Sequence, residues 1–247
     1  MLTRNVDEIL ARLAPDDLVL DVGGWACPFN RAQWVLDAEP YETRGFYRTF
    51  GGLPFQGPPE ESFSAATWIR RDICDREPWP FPDKHFDFVI CSHTLEDIRD
   101  PLWACAELAR VGKAGYVEIP SRLFETCRGV ERPGMAGLSH HRWLIDIERQ
   151  HIRFWQKLHM IHERRFSLPE RYRRRLTEES AVQWLFWAGS FTCEELTLLG
   201  VPAQEAELWR FARSIDPWPA WREGLETAWQ RTAAFPRRIA GAVRRRL

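Results

Sequence analysis

The chain has 247 residues, 45% hydrophobic and 28% charged, which suits one α/β domain with additions and excludes a disordered or fibrous chain. Its 34 basic and 35 acidic side chains leave a net charge of -1, so no overall field draws it to nucleic acid. Six cysteines (Cys27, Cys74, Cys91, Cys105, Cys127 and Cys193) form no C-x-x-C pair, which excludes a zinc ribbon or dithiol motif and fits a reducing, cytoplasmic setting.

Val6, Ile9, Leu10 and Leu13 recur at helical spacing, so residues 1–14 read as an amphipathic helix ending at Pro15. This stretch has the character of neither a signal peptide nor a membrane anchor. LVLDV, at 18–22, is a short buried strand, and WVLD, at 34–37, a second. The Gly- and Pro-rich segment 45–64 predicts an irregular loop of functional length. TWIRRDIC reads as a third strand and FDFVICS, at 86–92, as a fourth. Asp100 and Pro101 supply an N-cap and first-turn proline for a helix to about Val111, with Gly112 as its stop. GYVEIP, at 115–120, is a fifth strand. This rhythm predicts a Rossmann-like, mostly parallel sheet with flanking helices.

Beyond Pro120 the alternation is lost. Residues 121–138 read as a polar loop, and an Arg/Trp-rich extension follows. HRWLIDIERQHIRFWQK, the segment 184–199 and a last helix from Ala203 are expected to complete the sheet edge and cover the active site. The expected organisation is therefore a cofactor-binding core over 1–138, a substrate-side part of the same domain over 139–235, and a basic tail over 236–247.

Ligands of an open parallel sheet bind beyond the carboxyl ends of its strands, where strand order changes. After Val22 come Gly23, Gly24, Trp25, Ala26, Cys27 and Pro28, which supply neither G-x-G-x-x-G nor a P-loop lysine. Gly23 and Gly24 permit close backbone approach. Asp21 is suited to accept from a cationic amine or from the loop's own amides, Asp37 from both hydroxyls of a ribose, and Asp72 from an exocyclic amine of adenine. The bland alternative is that these acids cap the turns after their strands.

These residues resemble the class I S-adenosylmethionine-dependent methyltransferases. The resemblance runs through VLDVGGW at 19–25, the acid of WVLDAEPY at Asp37 and the acid of RRDICD at Asp72. Its most specific part is PWPFPDKHFDFVICSHTLEDIRDPLWACAELARV, at 78–111: a Pro-Phe turn, an F-D-x-V strand, a Ser/His-x-x-Leu-Glu turn and a helix opening with Asp-Pro. It implies S-adenosyl-L-methionine as cofactor, bound by Asp21, Gly23, Gly24, Trp25, Asp37, Asp72, Ile73, Ser92 and His93, with Ser92 and His93 on the methionine side. The chain departs from the family at Trp25, where glycine is usual. The 23–33 connection is also short, with room for only a turn or two of helix.

The donor's sulfonium carries the leaving-group chemistry, so the protein must bind, align and activate the acceptor. A hydroxyl acceptor requires a general base, and His140 or His141 in GLSHHRW is the candidate. No metal is expected: His140, His141 and His151 with Asp146 or Glu148 match no zinc spacing. The extension's tryptophans (Trp155, Trp184, Trp187, Trp209, Trp218, Trp221, Trp229) read first as core. Beside the arginine clusters 164–175 and 237–246 they would also suit a glycan or phosphate-bearing acceptor. The tail FPRRIAGAVRRRL is either a solvated end or a basic segment for weak contact with an anionic membrane surface.

The expected activity is methyl transfer to a hydroxyl, in preference to an amine, of a small molecule or glycan. The alternative from a different class is an inactive methyltransferase-like binding or assembly module, for which Trp25 and the short connection speak.

Overall fold

The computed structural model describes residues 1–49, 56–197 and 200–217. The basic tail, Trp218, Trp221 and Trp229 lie outside them.

The chain falls into two units that interleave along the sequence. One comprises Met1–Glu125, Leu138–Leu158 and Leu176–Thr197; the other comprises Thr126–Gly137, His159–Arg175 and the chain from 198 onward.

The larger unit begins with α1 (Thr3–Arg12), whose Ile9 is fully buried. Two short parallel strands follow, β1 (Val19–Val22) and β2 (Trp34–Asp37), then a short helix α2 (Phe46–Thr49) and β3 (Trp68–Arg70). β4 (Phe86–Ser92) leads into α3 (Pro101–Val111). The Asp100 carboxylate accepts from the Trp103 N–H at 3.1 Å, the cap that the Asp-Pro pair predicts. Gly112 stops this helix and also starts β5 (Gly112–Pro120), three residues before the expected strand, so helix and strand abut with no loop.

β1, β2, β3, β4 and β5 run parallel in the order β3-β2-β1-β4-β5. That is the doubly wound order, and its switch point lies between β1 and β4. After α4 (Arg122–Thr126), HRWLIDIERQHIRFWQK forms the hairpin of β6 (Trp143–Glu148) and β7 (His151–Gln156), turned at Arg149 with φ +56°.

α5 (Glu170–Arg173) belongs to the smaller unit, and α6 (Glu178–Ala181) leads back into the larger one. β8 (Val182–Ala188) then pairs antiparallel with β5 and completes the sheet edge, as expected of the extension. β9 (Thr192–Glu195) joins β7 in a second, three-stranded sheet. The core of this unit joins Leu20, Val22, Val89 and Val117 of the first sheet to Leu108 of α3 and to Ile145 and Phe154 of the hairpin. Burying such side chains gives roughly 1.5–3 kcal/mol each, which holds the strand ends that carry the site.

The smaller unit contains α5 and α7 (Val201–Ile215), with Ile161, Phe166 and Leu168 buried. Cys127 bridges to Leu168, and Arg171 pairs with Asp216 at 2.5 Å.

No described helix is long and apolar enough to cross a membrane.

Candidate active site

Three loops leave the carboxyl ends of β1, β2 and β4 around the switch point. The first, from Gly23, contains bends, turns and a single bridge from Phe29 to Gln56 before β2, so the turn or two of helix allowed by its length does not form. Asp21 organises it from below. Asp21 is a buried residue within β1, and its Oδ2 accepts from the Phe29 N–H at 2.8 Å. Burial pushes its pKa up to about 7, against the pull of that hydrogen bond. Of the two uses expected for Asp21, the loop's own amide is the one made.

Gly23 has φ +77°, and a Cβ there would stand 2.2 Å from Thr94 Oγ1; at Gly24 it would stand 2.2 Å from Asp21 Oδ2. Both glycines let the loop close onto β4 and onto the buried acid. Trp25 fills no glycine role. Its ring stacks on Phe46 with centroids 5.0 Å apart, and its indole N–H donates to Thr43 Oγ1 at 3.0 Å. Its backbone N–H donates to Asp37 Oδ2 at 2.9 Å.

Asp37, the last residue of β2, also accepts from the Glu39 N–H through Oδ1 at 2.8 Å. Each carboxylate oxygen keeps a second lone pair, so two loop amides leave the group able to accept again. Burial raises the Asp37 pKa, and its amide bonds oppose the rise.

Asp72 stands two residues beyond β3, not at its end, and is paired with Arg99. Its Oδ1 accepts from the Cys74 N–H at 2.9 Å. Burial works against the charge, but Cys74 and Arg99 outweigh it and hold the carboxyl below its ordinary pKa. Ile73 is buried, and its carbonyl accepts from the Trp79 indole at 3.1 Å. Arg99 also borders a separate cavity of about 350 Å³ between Trp103 and Trp143, which no sequence-named site residue lines.

The third loop follows β4. Ser92 Oγ is buried without a hydrogen-bond partner, and half-exposed His93 holds φ +52°, a left-handed conformation uncommon outside glycine. His93 Nε2 lies 3.1 Å from Glu118 Oε1, and Nδ1 lies 3.6 Å from Glu96 Oε1. Burial disfavours the imidazolium, but these two carboxylates outweigh it and carry the pKa up to about 9. Glu118 is buried, and its contacts with His93 and Tyr116 hold it down to about 2 against desolvation.

His140 and His141 reach the same loop from far along the chain. The Arg142 and Trp143 N–H groups donate to the Glu96 carbonyl at 2.7 and 3.2 Å. This places buried His141 with Nε2 3.9 Å from Asp97 Oδ1 and Nδ1 2.7 Å from Glu125 Oε1. Because a carboxylate only accepts, Nδ1 carries the hydrogen in the neutral imidazole and Nε2 carries the lone pair. Burial lowers the His141 pKa, but Glu125 outweighs it and the net shift is upward. Exposed His140 packs edge-on against His141 at 4.6 Å. Lys157 forms a buried ion pair with Glu125 and donates to the Leu138 carbonyl at 2.7 Å.

Glu96, Asp97, Glu118, Glu125 and Lys157 were invisible as site residues in the sequence. One signal pointed to Lys157: it is one of only three lysines (Lys84, Lys113, Lys157) in an otherwise arginine-based chain. The other histidine assembly weighed from sequence does not form, since His151 bonds Thr192 and Glu194 while Asp146 pairs with Arg122.

The arrangement has features that fit an adenosyl cofactor: loop glycines at the switch point, the spare lone pairs of Asp37 and the orphaned Ser92 hydroxyl.

Residues 58–134 match the family model described as a methyltransferase domain, a stretch that begins beyond the Asp21–Asp37 loop. No curated protein matches the chain. Among solved structures, the chain is similar to a Haloferax volcanii protein in complex with the Trm112 methyltransferase activator (20% identity, 47% of this chain and 50% of that one, TM-score 0.33). It is similar to an Aquifex aeolicus SAM-dependent methyltransferase (17% identity, 48% and 65%, TM-score 0.32). A third is a Mesorhizobium loti S-adenosylmethionine-dependent methyltransferase (15% identity, 61% and 62%, TM-score 0.33). The chain spans about half the length of the first of these and less than two thirds of each.

Proposed function

We propose that this chain, whose residues 58–134 match a methyltransferase-domain model, is a class I S-adenosylmethionine-dependent methyltransferase that transfers a methyl group to a hydroxyl of a small molecule or glycan. The observation that carries this reading is the meeting, at Glu96, of the loop after β4 with the segment bearing His140 and His141. Bound S-adenosylmethionine would supply an activated methyl on sulfur, whose departure needs no help from an acid.

The backbone at Gly23 and Gly24, the free lone pairs of Asp37, and Ser92 and His93 are the groups suited to hold the cofactor. Trp25, stacked on Phe46, would stiffen the wall beside them. In this reading Asp21 and Ile73 support the site from beneath, and Asp72 acts at its rim through Arg99.

A hydroxyl must lose its proton as it attacks. The lone pair on His141 Nε2 is suited to take it while Glu125, bonded to Nδ1–H, stabilises the imidazolium. Lys157 keeps Glu125 ionised. An uncharged amine has a lone pair ready and needs no such dyad, so the dyad favours a hydroxyl. Exposed Phe46 and Tyr47 are suited to an acceptor with a flat or sugar face.

Calorimetry with S-adenosylhomocysteine is the direct test. Micromolar binding, weakened in Asp37→Ala, supports the reading; no binding to folded wild type defeats it. One observation favours the second reading, an inactive binding module: both oxygens of Asp37 already accept loop amides. That reading predicts cofactor binding without turnover across acceptors.

A further inference from the structure

His140 and His141 are neighbours in sequence, yet the fold gives them a third partner, Asp97, from the loop between β4 and α3. One ligand-type atom from each of Asp97, His140 and His141 lies within 4.8 Å of the others. We infer that Asp97, His140 and His141 form a binding site for a divalent transition cation, with Glu125 and Lys157 as its outer shell.

Residue chemistry and support both point there. Two imidazoles and one carboxylate are a ligand set for zinc and for non-haem iron, leaving positions open for water or substrate. A metal-bound histidine ordinarily donates its other N–H to a carboxylate, which fixes ring and tautomer. His141 already does so: Nδ1–H meets Glu125 Oε1 at 2.7 Å, and the Nε2 lone pair points away from that bond. Glu125 is itself held by buried Lys157.

A second observation concerns the hydrogen bonding of the carboxylates at the cluster. Asp97 Oδ1 and Glu96 Oε2 are buried carboxylate oxygens without a hydrogen-bond partner. Glu96 is only 1% exposed. Buried carboxylate oxygens without donors are costly, and a cation beside them would relieve that cost.

The movement needed is small. Ligand atoms around a tetrahedral zinc with bonds near 2.1 Å lie about 3.4 Å apart. The Asp97 Oδ1 to His141 Nε2 distance is 3.9 Å, and exposed His140 is free to swing inward.

This inference rests on the reading that the two histidines face the acceptor. With the cation bound, His141 Nε2 would be a ligand and no longer available to take the acceptor's proton; the cation would instead acidify a coordinated hydroxyl, whose proton would pass to solvent.

The test is Zn²⁺ titrated calorimetrically into the chelator-treated full chain, for wild type, His140→Ala, Asp97→Asn and Glu125→Gln. One zinc per chain is expected. Binding should weaken at least tenfold when either direct ligand is lost, and by about 10–100-fold in Glu125→Gln. Wild type that takes up no zinc overturns the inference. So does uptake by His140→Ala and Asp97→Asn that equals wild type, which would place the metal elsewhere. His140 is exposed, so His140→Ala stays informative if Glu125→Gln does not fold. S-adenosylhomocysteine binding by the same samples is a separate readout: zinc uptake without it sinks the methyltransferase reading and leaves the metal site standing.

Discussion

The Arg142 N–H donates to the Glu96 carbonyl at 2.7 Å and, with the Trp143 N–H on the same carbonyl, joins two parts of the chain that sequence order keeps well apart. Glu96 follows Ser92, the last residue of β4, and His93, while Arg142 follows His140 and His141. In the proposed reading, cofactor-side and acceptor-side groups therefore share one anchor, so displacing one loop displaces the other.

Asp37 supplies the first prediction. Asp37→Ala removes the acceptor for the Trp25 and Glu39 amides as well as the proposed ribose partner. S-adenosylhomocysteine should bind more weakly by about 1–3 kcal/mol, the range for polar groups left unmatched. Calorimetry at fixed pH measures this, and unchanged affinity would place the ribose elsewhere.

Asp21 predicts a pH dependence of stability. Its folded pKa of about 7 lies above the ordinary 3.8, so between these values the folded state binds the proton that the unfolded chain has released. The stabilising contribution is present below pH 3.8 and is lost as pH rises through 7. Asp21→Asn keeps an acceptor for the Phe29 N–H but cannot ionise. Urea melts from pH 4 to 8 should show a shallower loss for the variant, which at pH 8 should be the more stable protein.

His93 contributes in the same direction over a higher window. With its pKa raised to about 9 by Glu118 and Glu96 despite burial, its contribution is complete below the ordinary 6.5 and disappears as pH passes 9. Proton NMR of the imidazole should report a midpoint near 9. A midpoint near 6.5 would mean that neither carboxylate is engaged in solution.

Lys157 and Glu125 form a buried pair, each at most 4% exposed. Lys157→Met leaves the Glu125 charge without its ammonium and should cost about 3–5 kcal/mol in denaturant unfolding. Adding Glu125→Gln to it should recover part of that loss, because no unpaired charge is then left inside. Strict additivity of the two changes would contradict a direct pair.

Glu125→Gln by itself tests the dyad through activity. The amide cannot stabilise an imidazolium on His141, so the pH at which turnover rises should fall together with kcat. A fall in kcat with an unmoved pH profile would indicate only a packing role for Glu125.

What the sequence determined by itself was local. The strands WVLD and FDFVICS lie where their apolar runs place them, and Asp100 caps α3 because donor and acceptor are three residues apart. Short-range patterns of this kind are complete within one window of sequence. The absence of a helix between β1 and β2, the engagement of Asp21 by Phe29 and the packing of Trp25 on Phe46 were decided by tertiary structure. So was the meeting of Asp97, Glu125 and Lys157 around His141, groups that no spacing rule connects. The pKa shifts of Asp97, Glu125 and His141 arise only after the sheet and hairpin exclude water around them, since burial and proximity are properties of the folded chain.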